Sequence, residues 1–210
     1  MANLTDLTSK EFLTELASAA PAPGGGGGAA MAGALAAALS SMVCNLTLGK
    51  EKFAAQEAEV QSVLTKAERA RERLLELVQE DAAVFNSFMS CYKLPKATDE
   101  EKAVRIAAIR AAAKKAAEVP LAIARESFAV LELADELVVC GNPGVITDGA
   151  CSGLLARAAL RCAEYNVRIN LGLTKDAEWN AQVQAELEAM LKQAEALEAK
   201  LLAVTDKALA

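Results

Sequence analysis

An all-α fold, an elongated helical bundle of six to seven helices, follows from three observations. No segment alternates apolar and β-branched or aromatic residues between turn signals, as a half-buried strand would. Long stretches free of Gly and Pro place apolar residues at helical spacing, as in Val60, Val63, Leu64, Ala67, Leu74 and Leu77. The apolar residues make up 53% of the chain but only 4% is aromatic. The bulk is Ala, Leu and Val, a composition that lets helix axes approach closely. At 210 residues, a single domain over residues 1–210 is expected.

Each element has its own signal. Thr8 and Glu11 form a capping box that starts a short helix, Ser9 to Ala20. Residues 21–28, Pro-Ala-Pro followed by five glycines, read as a loop. The prolines fix φ and the glycines permit close backbone approach. A small-residue helix is expected from about Gly28 to Leu48, ended by Gly49. Lys50 to Cys91 holds no Gly or Pro, so it is one helix approaching about 60 Å or two with a bend. Pro95 ends it. Thr98 and Glu101 box the next helix, Asp99 to about Cys140, which Pro120 should kink or split at Val119. Gly141-Asn142-Pro143-Gly144 is a dense turn. Thr147 or Asp148 then caps a helix to about Leu171, and Thr174 or Asp176 starts the last, Ala177 to about Leu209.

Composition excludes several classes. A net charge of −6 and a pI near 4.9 give no cationic excess to displace counterions, which argues against nucleic acid and against an anionic membrane surface. Gly28–Leu48 is apolar enough to suggest a membrane span. It is mostly Ala, however, and holds Ser40, Ser41 and Asn45, which suits a buried central helix better. Met1–Lys10 is polar and lacks the apolar core of a signal peptide. Five cysteines, an odd number without CxxC, point to buried thiols in a reducing cytoplasm. No metal site is expected, because there is no histidine and the cysteine spacings are wrong. Without histidine, proton transfer falls to Lys, Asp, Glu, Tyr or Cys.

Four groups of residues could carry chemistry, and each has a plainer reading beside it. The glycine run is either a polar-ligand cradle at a bare helix N-terminus or a hinge. Glu80-Asp81 lies on the same long helix as Lys93 and Lys96. Asp81 and Lys93 are about three turns apart, so they pair only through a bend or a second chain; otherwise they are a solvated helix end. Asn142 and Asp148 flank a turn, where Asp148 is either a site residue or only a cap. Asn166 and Asn170, four apart on one helix face, imply a buried amide network or a polar ligand.

In order along the chain, these segments resemble one family, the cyclodeaminase/cyclohydrolase enzymes of folate one-carbon metabolism. The matching pieces are Phe12-Leu13, Pro21-Ala22-Pro23-Gly24-Gly25-Gly26, Ala32 to Leu39, Met42-Val43, Gly49-Lys50, Glu80-Asp81, Leu94-Pro95-Lys96, Glu118-Val119-Pro120-Leu121, Gly141-Asn142, Asp148 and Asn166-Val167-Arg168-Ile169-Asn170-Leu171. They cover about residues 8 to 175. Gly27 stands where the family usually has Ser, Thr147-Asp148 where it has Ser-Asp, and Cys162 where a small Gly is common.

The resemblance implies an all-helical homodimer with folate bound in a groove near the subunit interface. It implies hydrolysis of 5,10-methenyltetrahydrofolate to 10-formyltetrahydrofolate, or alternatively release of ammonia from 5-formiminotetrahydrofolate. A non-enzymatic helical scaffold is the alternative from another class. Candidate catalytic residues are Lys93, Asp81 and Asp148. Candidate substrate-binding residues are Pro23, Gly24, Gly25, Gly26, Lys50, Lys96, Asn142, Asn166 and Asn170. The tetrahydrofolate derivative is the substrate, and no metal or other cofactor is implied.

Overall fold

A computed structural model describes residues 3–210. Among them are six α-helices and no strand: α1 (Ser9–Leu16), α2 (Gly25–Asn45), α3 (Glu57–Cys91), α4 (Asp99–Cys140), α5 (Ile146–Thr174) and α6 (Ala177–Leu209). α2, α3, α4 and α5 pack as a four-membered ring in that order, and α6 lies outside against α4 and α5. The seam is Ala30, Ala34 and Ala37 of α2 against Leu74, Leu77 and Val78 of α3, with Ile123 and Leu131 of α4 and Leu160 and Val167 of α5. With 42 residues, α4 is about 63 Å long at 1.5 Å per residue, so the bundle is elongated as expected.

Small residues set the helix spacing. A Cβ on Gly33 of α2 would stand 2.9 Å from Ser127 Oγ and 3.1 Å from a Leu74 methyl, so α2 touches α3 and α4 almost backbone to side chain. At the next level, Ser152 Oγ of α5 lies 2.7 Å from the Ala36 carbonyl, to which it donates, and 2.8 Å from Ser40 Oγ. Both serines are fully buried and mutually satisfied, which explains two hydroxyls inside an apolar helix.

Several boundaries differ from the sequence reading. α1 stops at Leu16 rather than Ala20. α2 starts at Gly25, so half of the expected loop 21–28 is already helix: the first turn lies against Asn166, Asp81 and Pro23, which offsets the low helix propensity of glycine. α2 ends at Asn45, and a turn and a 3-10 segment, Glu51–Gln56, precede α3. Thr147 and Asp148 are not caps; the helix begins one residue earlier, at Ile146, after a 3-10 turn that Asn142 caps. Asp176, not Thr174, caps α6, and α5 runs three residues past Leu171.

Pro120 is the most instructive difference. α4 continues through it without splitting. Proline removes the N–H that would bond the Ala116 carbonyl. Asn170 Nδ2 of α5 donates to that carbonyl instead, at 2.9 Å. A side chain from the neighbouring helix replaces the missing backbone donor.

The Gly25–Asn45 helix is long and apolar enough to cross a membrane by composition. Here it is the inner helix of the bundle, with most of its length buried against α3, α4 and α5. One stripe faces out: Met31, Leu35, Ala38 and Met42 at alternating three- and four-residue steps, with Leu35 55% exposed. On α5 a similar exposed stripe runs Cys151, Leu154, Ala158, Cys162, Tyr165 and Ile169.

Replacing Gly33 by Ala is expected to lower unfolding stability by about 1–3 kcal/mol, the usual range for overpacking. A urea midpoint unchanged from the parent protein would contradict the close α2–α3–α4 approach.

Candidate active site

The site is the space that α2 leaves empty. α2 begins at Gly25, level with Asp81 of α3 and Asn166 of α5. α3, α4 and α5 continue past that level. Between them lies a cavity of about 270 Å³, floored by Gly24, Gly25 and Gly26. α3 contributes Asp81, Phe85 and Phe88, α4 contributes Val119 and Pro120, and α5 contributes Asn166, Ile169 and Asn170.

Asp81 is the one ionisable side chain in this lining. Its carboxylate accepts from the backbone N–H of Gly27, in the first turn of α2. α2 has no side-chain cap of its own, so Asp81 supplies from α3 what an N-cap residue would supply locally. Gly26 makes this possible, because a Cβ there would collide with the Asp81 carboxylate. Burial pushes the Asp81 carboxyl above its ordinary range, and the Gly27 bond only partly opposes this. A carboxylate held this way is a better base than a solvated one.

The two asparagines are oriented by their donors. Asn166 Nδ2 donates to the Cys162 carbonyl at 2.9 Å, and Asn170 Nδ2 donates to the carbonyls of Ala116 and Asn166, each at 2.9 Å. These bonds use the amide N–H groups and leave acceptor oxygens at the cavity. With Asp81, the wall therefore presents acceptors to a donor-rich ligand edge. Gly25 and Gly26, first-turn residues, carry N–H groups with no intrahelical acceptor.

The sequence-predicted residues fall into three places. Gly24, Gly25, Gly26, Asp81, Asn166 and Asn170 line the cavity. Pro23 is buried behind it, against Gly27. Lys93 and Lys96 are exposed at the α3–α4 turn. They lie at the same end of the bundle but well past the cavity, Lys93 about 18 Å beyond Asp81 by helical rise. Within one subunit Lys93 and Asp81 do not meet. Lys50, Asn142 and Asp148 lie at the opposite end of α2, about 30 Å away. Asn142 is structurally committed there: its backbone N–H donates to Thr47 Oγ1 (2.9 Å), its Nδ2 donates to the Leu46 carbonyl (3.0 Å), and its Oδ1 accepts from the Gly144 N–H (3.0 Å).

Sequence reasoning missed the apolar lining. Phe85 follows Asp81 by four residues, so it shares its helix face, and it is partly exposed while Phe88 is buried edge-on against Tyr92, with centroids 5.3 Å apart. An aromatic one turn after a carboxylate was the available signal. A larger groove of about 470 Å³ between α5 and α6 contains Arg168 and Glu188. Arg168 is already tied to the buried Glu164 at 3.0 Å, and none of the predicted site residues lies there.

Residues 8–189 match the formiminotransferase-cyclodeaminase family. The chain belongs to that family. It is 45% identical to a methenyltetrahydrofolate cyclohydrolase of Methylorubrum extorquens over 92% of this chain and 93% of that protein. It is 33% identical to the formimidoyltransferase-cyclodeaminase of Sus scrofa over 92% of this chain, but spans only 36% of that longer protein. The crystal structure of formiminotetrahydrofolate cyclodeaminase from Thermotoga maritima superposes with a TM-score of 0.88 at 28% identity, covering 99% of this chain and all of that one. The family resemblance drawn from the ordered motifs is therefore correct, and the all-α bundle is the family's fold.

Gly27 lies where the family usually has Ser. A Cβ there would stand 3.8 Å from Asp81 Oδ2 and no closer than 3.4 Å to anything else, so serine fits and its hydroxyl reaches the carboxylate. A hydrogen bond to the charged form lowers a carboxyl pKa. Gly27→Ser is expected to move the acid limb of the kcat/KM–pH profile to lower pH. An acid limb that stays in place or moves up would contradict the assignment of that limb to Asp81.

Proposed function

We propose that the protein hydrolyses 5,10-methenyltetrahydrofolate to 10-formyltetrahydrofolate. The observation that carries this reading is the lone carboxylate of Asp81 in an otherwise apolar and amide-lined cavity, in a chain whose relatives include a methenyltetrahydrofolate cyclohydrolase. The methenyl bridge between N5 and N10 carries a positive charge. A partly buried carboxylate attracts that charge more strongly than a fully solvated one would.

Asp81 takes a proton from water as the oxygen adds to the bridging carbon. The carbon becomes tetrahedral and its charge is lost. The bond from carbon to N5 then breaks, N5 takes the proton held by Asp81, and the added hydroxyl gives its proton to solvent. The formyl group stays on N10, and one proton is released overall. Asn166 and Asn170 accept from the N–H edge of the pteridine, and the exposed Lys93 and Lys96 meet the glutamate carboxylates. The exposed position of Lys93, beyond the end of α3, does not support a catalytic role beside Asp81 within one subunit. The chemistry is acid–base throughout, so no metal or redox cofactor is proposed, and free thiols accord with a cytoplasmic enzyme. Neither nucleic acid nor membrane is proposed as a partner.

A second reading, formiminotetrahydrofolate cyclodeaminase, is favoured by the likeness to the Thermotoga maritima structure. There N10 attacks the formimino carbon, and Asp81 carries the N10 proton to the departing amine nitrogen. Both routes place a cationic one-carbon group at Asp81.

Near-ultraviolet absorbance of 5,10-methenyltetrahydrofolate tests the choice. Loss faster than the spontaneous rate establishes the hydrolase. No loss, with absorbance appearing from 5-formiminotetrahydrofolate, establishes the cyclodeaminase. Neither change sinks both. Asp81→Asn should lower kcat by about 10²–10⁴-fold, the usual contribution of a positioned acid–base group. Because burial raises the Asp81 pKa, its ionisation opposes folding. The stability present while it is protonated is lost as pH rises through its folded pKa. Asp81→Asn keeps an acceptor for the Gly27 N–H and removes the burial cost of the charge, so it should match or exceed the parent in Tm at pH 7; a large loss of Tm would show that the capping charge outweighs that cost.

The protein is also proposed to be a homodimer that buries the exposed α2 and α5 stripes. Sedimentation should give twice the mass of the 21.9 kDa chain, and Leu35→Glu should give a monomer. A monomeric parent protein would overturn this.

A further inference from the structure

Past the start of α2 the bundle is carried on by a pair of helices. α2 begins level with Asp81. The turn from α5 to α6 is level with Lys114 of α4, whose Nζ donates to Asp176 Oδ2 at 2.9 Å. α3 and α4 continue beyond both as a hairpin joined through residues 92–98. On its α3 side, Asp81, Phe85, Phe88 and Tyr92 follow one another at steps of four, three and four, so they share one helix face. Phe85 and Phe88 line the cavity. Tyr92 packs edge-on against Phe88 and is 41% exposed. An aromatic strip thus leads out of the cavity and ends about 17 Å past Asp81 by helical rise.

Arg105 of α4 stands at the end of this strip, half-buried. Its guanidinium lies over the Tyr92 ring, 5.5 Å from the centroid, and its Nη2 donates to the Tyr92 carbonyl at 3.3 Å. Ring and carbonyl orient the group without neutralising it. Among the described residues, no carboxylate pairs with it. Its Nε is buried and has no acceptor, and a buried donor left unpaired is costly. Two neighbouring acids are engaged elsewhere. Asp99 accepts from Lys102 at 2.8 Å, and Glu101 accepts from the backbone N–H groups of Ala97 and Thr98. Arg105 is therefore an oriented cation in want of an anion.

We propose that Arg105 binds the glutamate tail of the folate, holding the further of its two carboxylates, with the aminobenzoyl ring lying along Phe85 in between. This assignment rests on the folate reading for its ligand and adds which residue fixes the ligand's far end. The order of groups agrees. From the bridging carbon the ligand runs through N10, an aromatic ring and an amide to the glutamate. From Asp81 the protein runs through Phe85, Phe88 and Tyr92 to a guanidinium. The cationic bridge then faces the carboxylate and the anionic tail faces the cation, and the reverse placement would set like charges together. Lys93 and Lys96, exposed at the same turn, approach the tail as mobile point charges. Arg105 is already held by Tyr92, so it loses less freedom on binding and offers a planar fork to a carboxylate.

A cycle between residue and ligand tests it. Steady-state kinetics are measured for the folate that the parent turns over and for its pteroate counterpart, which keeps the ring but lacks the glutamate. The parent should show a KM about tenfold higher for the pteroate, the low end for a charge-assisted contact, with kcat unchanged. Arg105→Gln should raise the folate KM by the same factor and leave the pteroate KM and both kcat values as they were. Arg105→Lys, which keeps the charge without the fork, should fall between. Phe85→Ala should raise KM for both substrates alike, by about three- to tenfold. Equal KM values for the two substrates in the parent would overturn the proposal, and that measurement needs no variant to fold. Arg105→Gln raising both KM values equally would also overturn it, since a merely structural role acts on both substrates. An unchanged KM in Phe85→Ala would remove the ring from Phe85. A parent inactive on both 5,10-methenyltetrahydrofolate and 5-formiminotetrahydrofolate would instead sink the functional reading, a result distinct from an active parent blind to the tail.

Discussion

The end of the bundle that holds the candidate cavity depends on one contact, the Asp81 carboxylate against the first turn of α2. Five glycines would not ordinarily begin a stable helix. Here they do so because α3 supplies both the packing surface and the capping charge. A carboxylate at a helix N-terminus is worth about 0.3–1 kcal/mol when exposed and up to about 2 when partly buried. Removing it from water costs more, as the upward pKa direction shows. The balance leaves Asp81 anchored yet readily protonated. That combination suits a group that must take a proton and return it to a neighbouring atom.

The opposite wall depends on a second exchange, between Pro120 and Asn170. Proline frees the Ala116 carbonyl, and Asn170 satisfies it. Either residue alone would be costly: the proline would orphan a carbonyl, and the asparagine would lose a backbone partner for its buried donor. Together they let α4 pass the cavity without a break and lock an amide oxygen beside it. The asparagine pair singled out in the sequence thus proves both structural and available to a ligand, each amide using its donors on the fold and keeping its acceptor free.

Much of this was legible in the sequence. The capping boxes at Thr8 and Thr98 start their helices as read. Gly24, Gly25, Gly26, Asp81, Asn166 and Asn170, separated by as many as 146 positions, do meet around one cavity. What failed has a common cause. The glycine loop, the break at Pro120 and the caps at Thr147 or Asp148 were all judged from local propensity, and at each of them a neighbouring helix or turn overrides it: Asp81 for the glycines, Asn170 for the proline, Asn142 for the turn. Phe85 escaped notice because periodicity marks an aromatic on a helix as core, and only the start of α2 shows that no helix covers it.

The division of the candidate residues between two ends follows from the length of α2. A 21-residue helix holds its termini about 30 Å apart, so residues at its two ends do not share one cavity within a subunit. The apolar stripe between them has no charge along Met31, Leu35, Ala38 and Met42, although the chain is 24% charged. A solvated helix face in such a chain would carry Glu or Lys at these positions, as the outer face of α3 does. An apolar stripe left uncovered favours contact with another apolar surface, which is the basis of the proposed homodimer. The stripe is therefore the part of α2 that the subunit's own fold leaves uncovered, while the rest of the helix is enclosed by α3, α4 and α5.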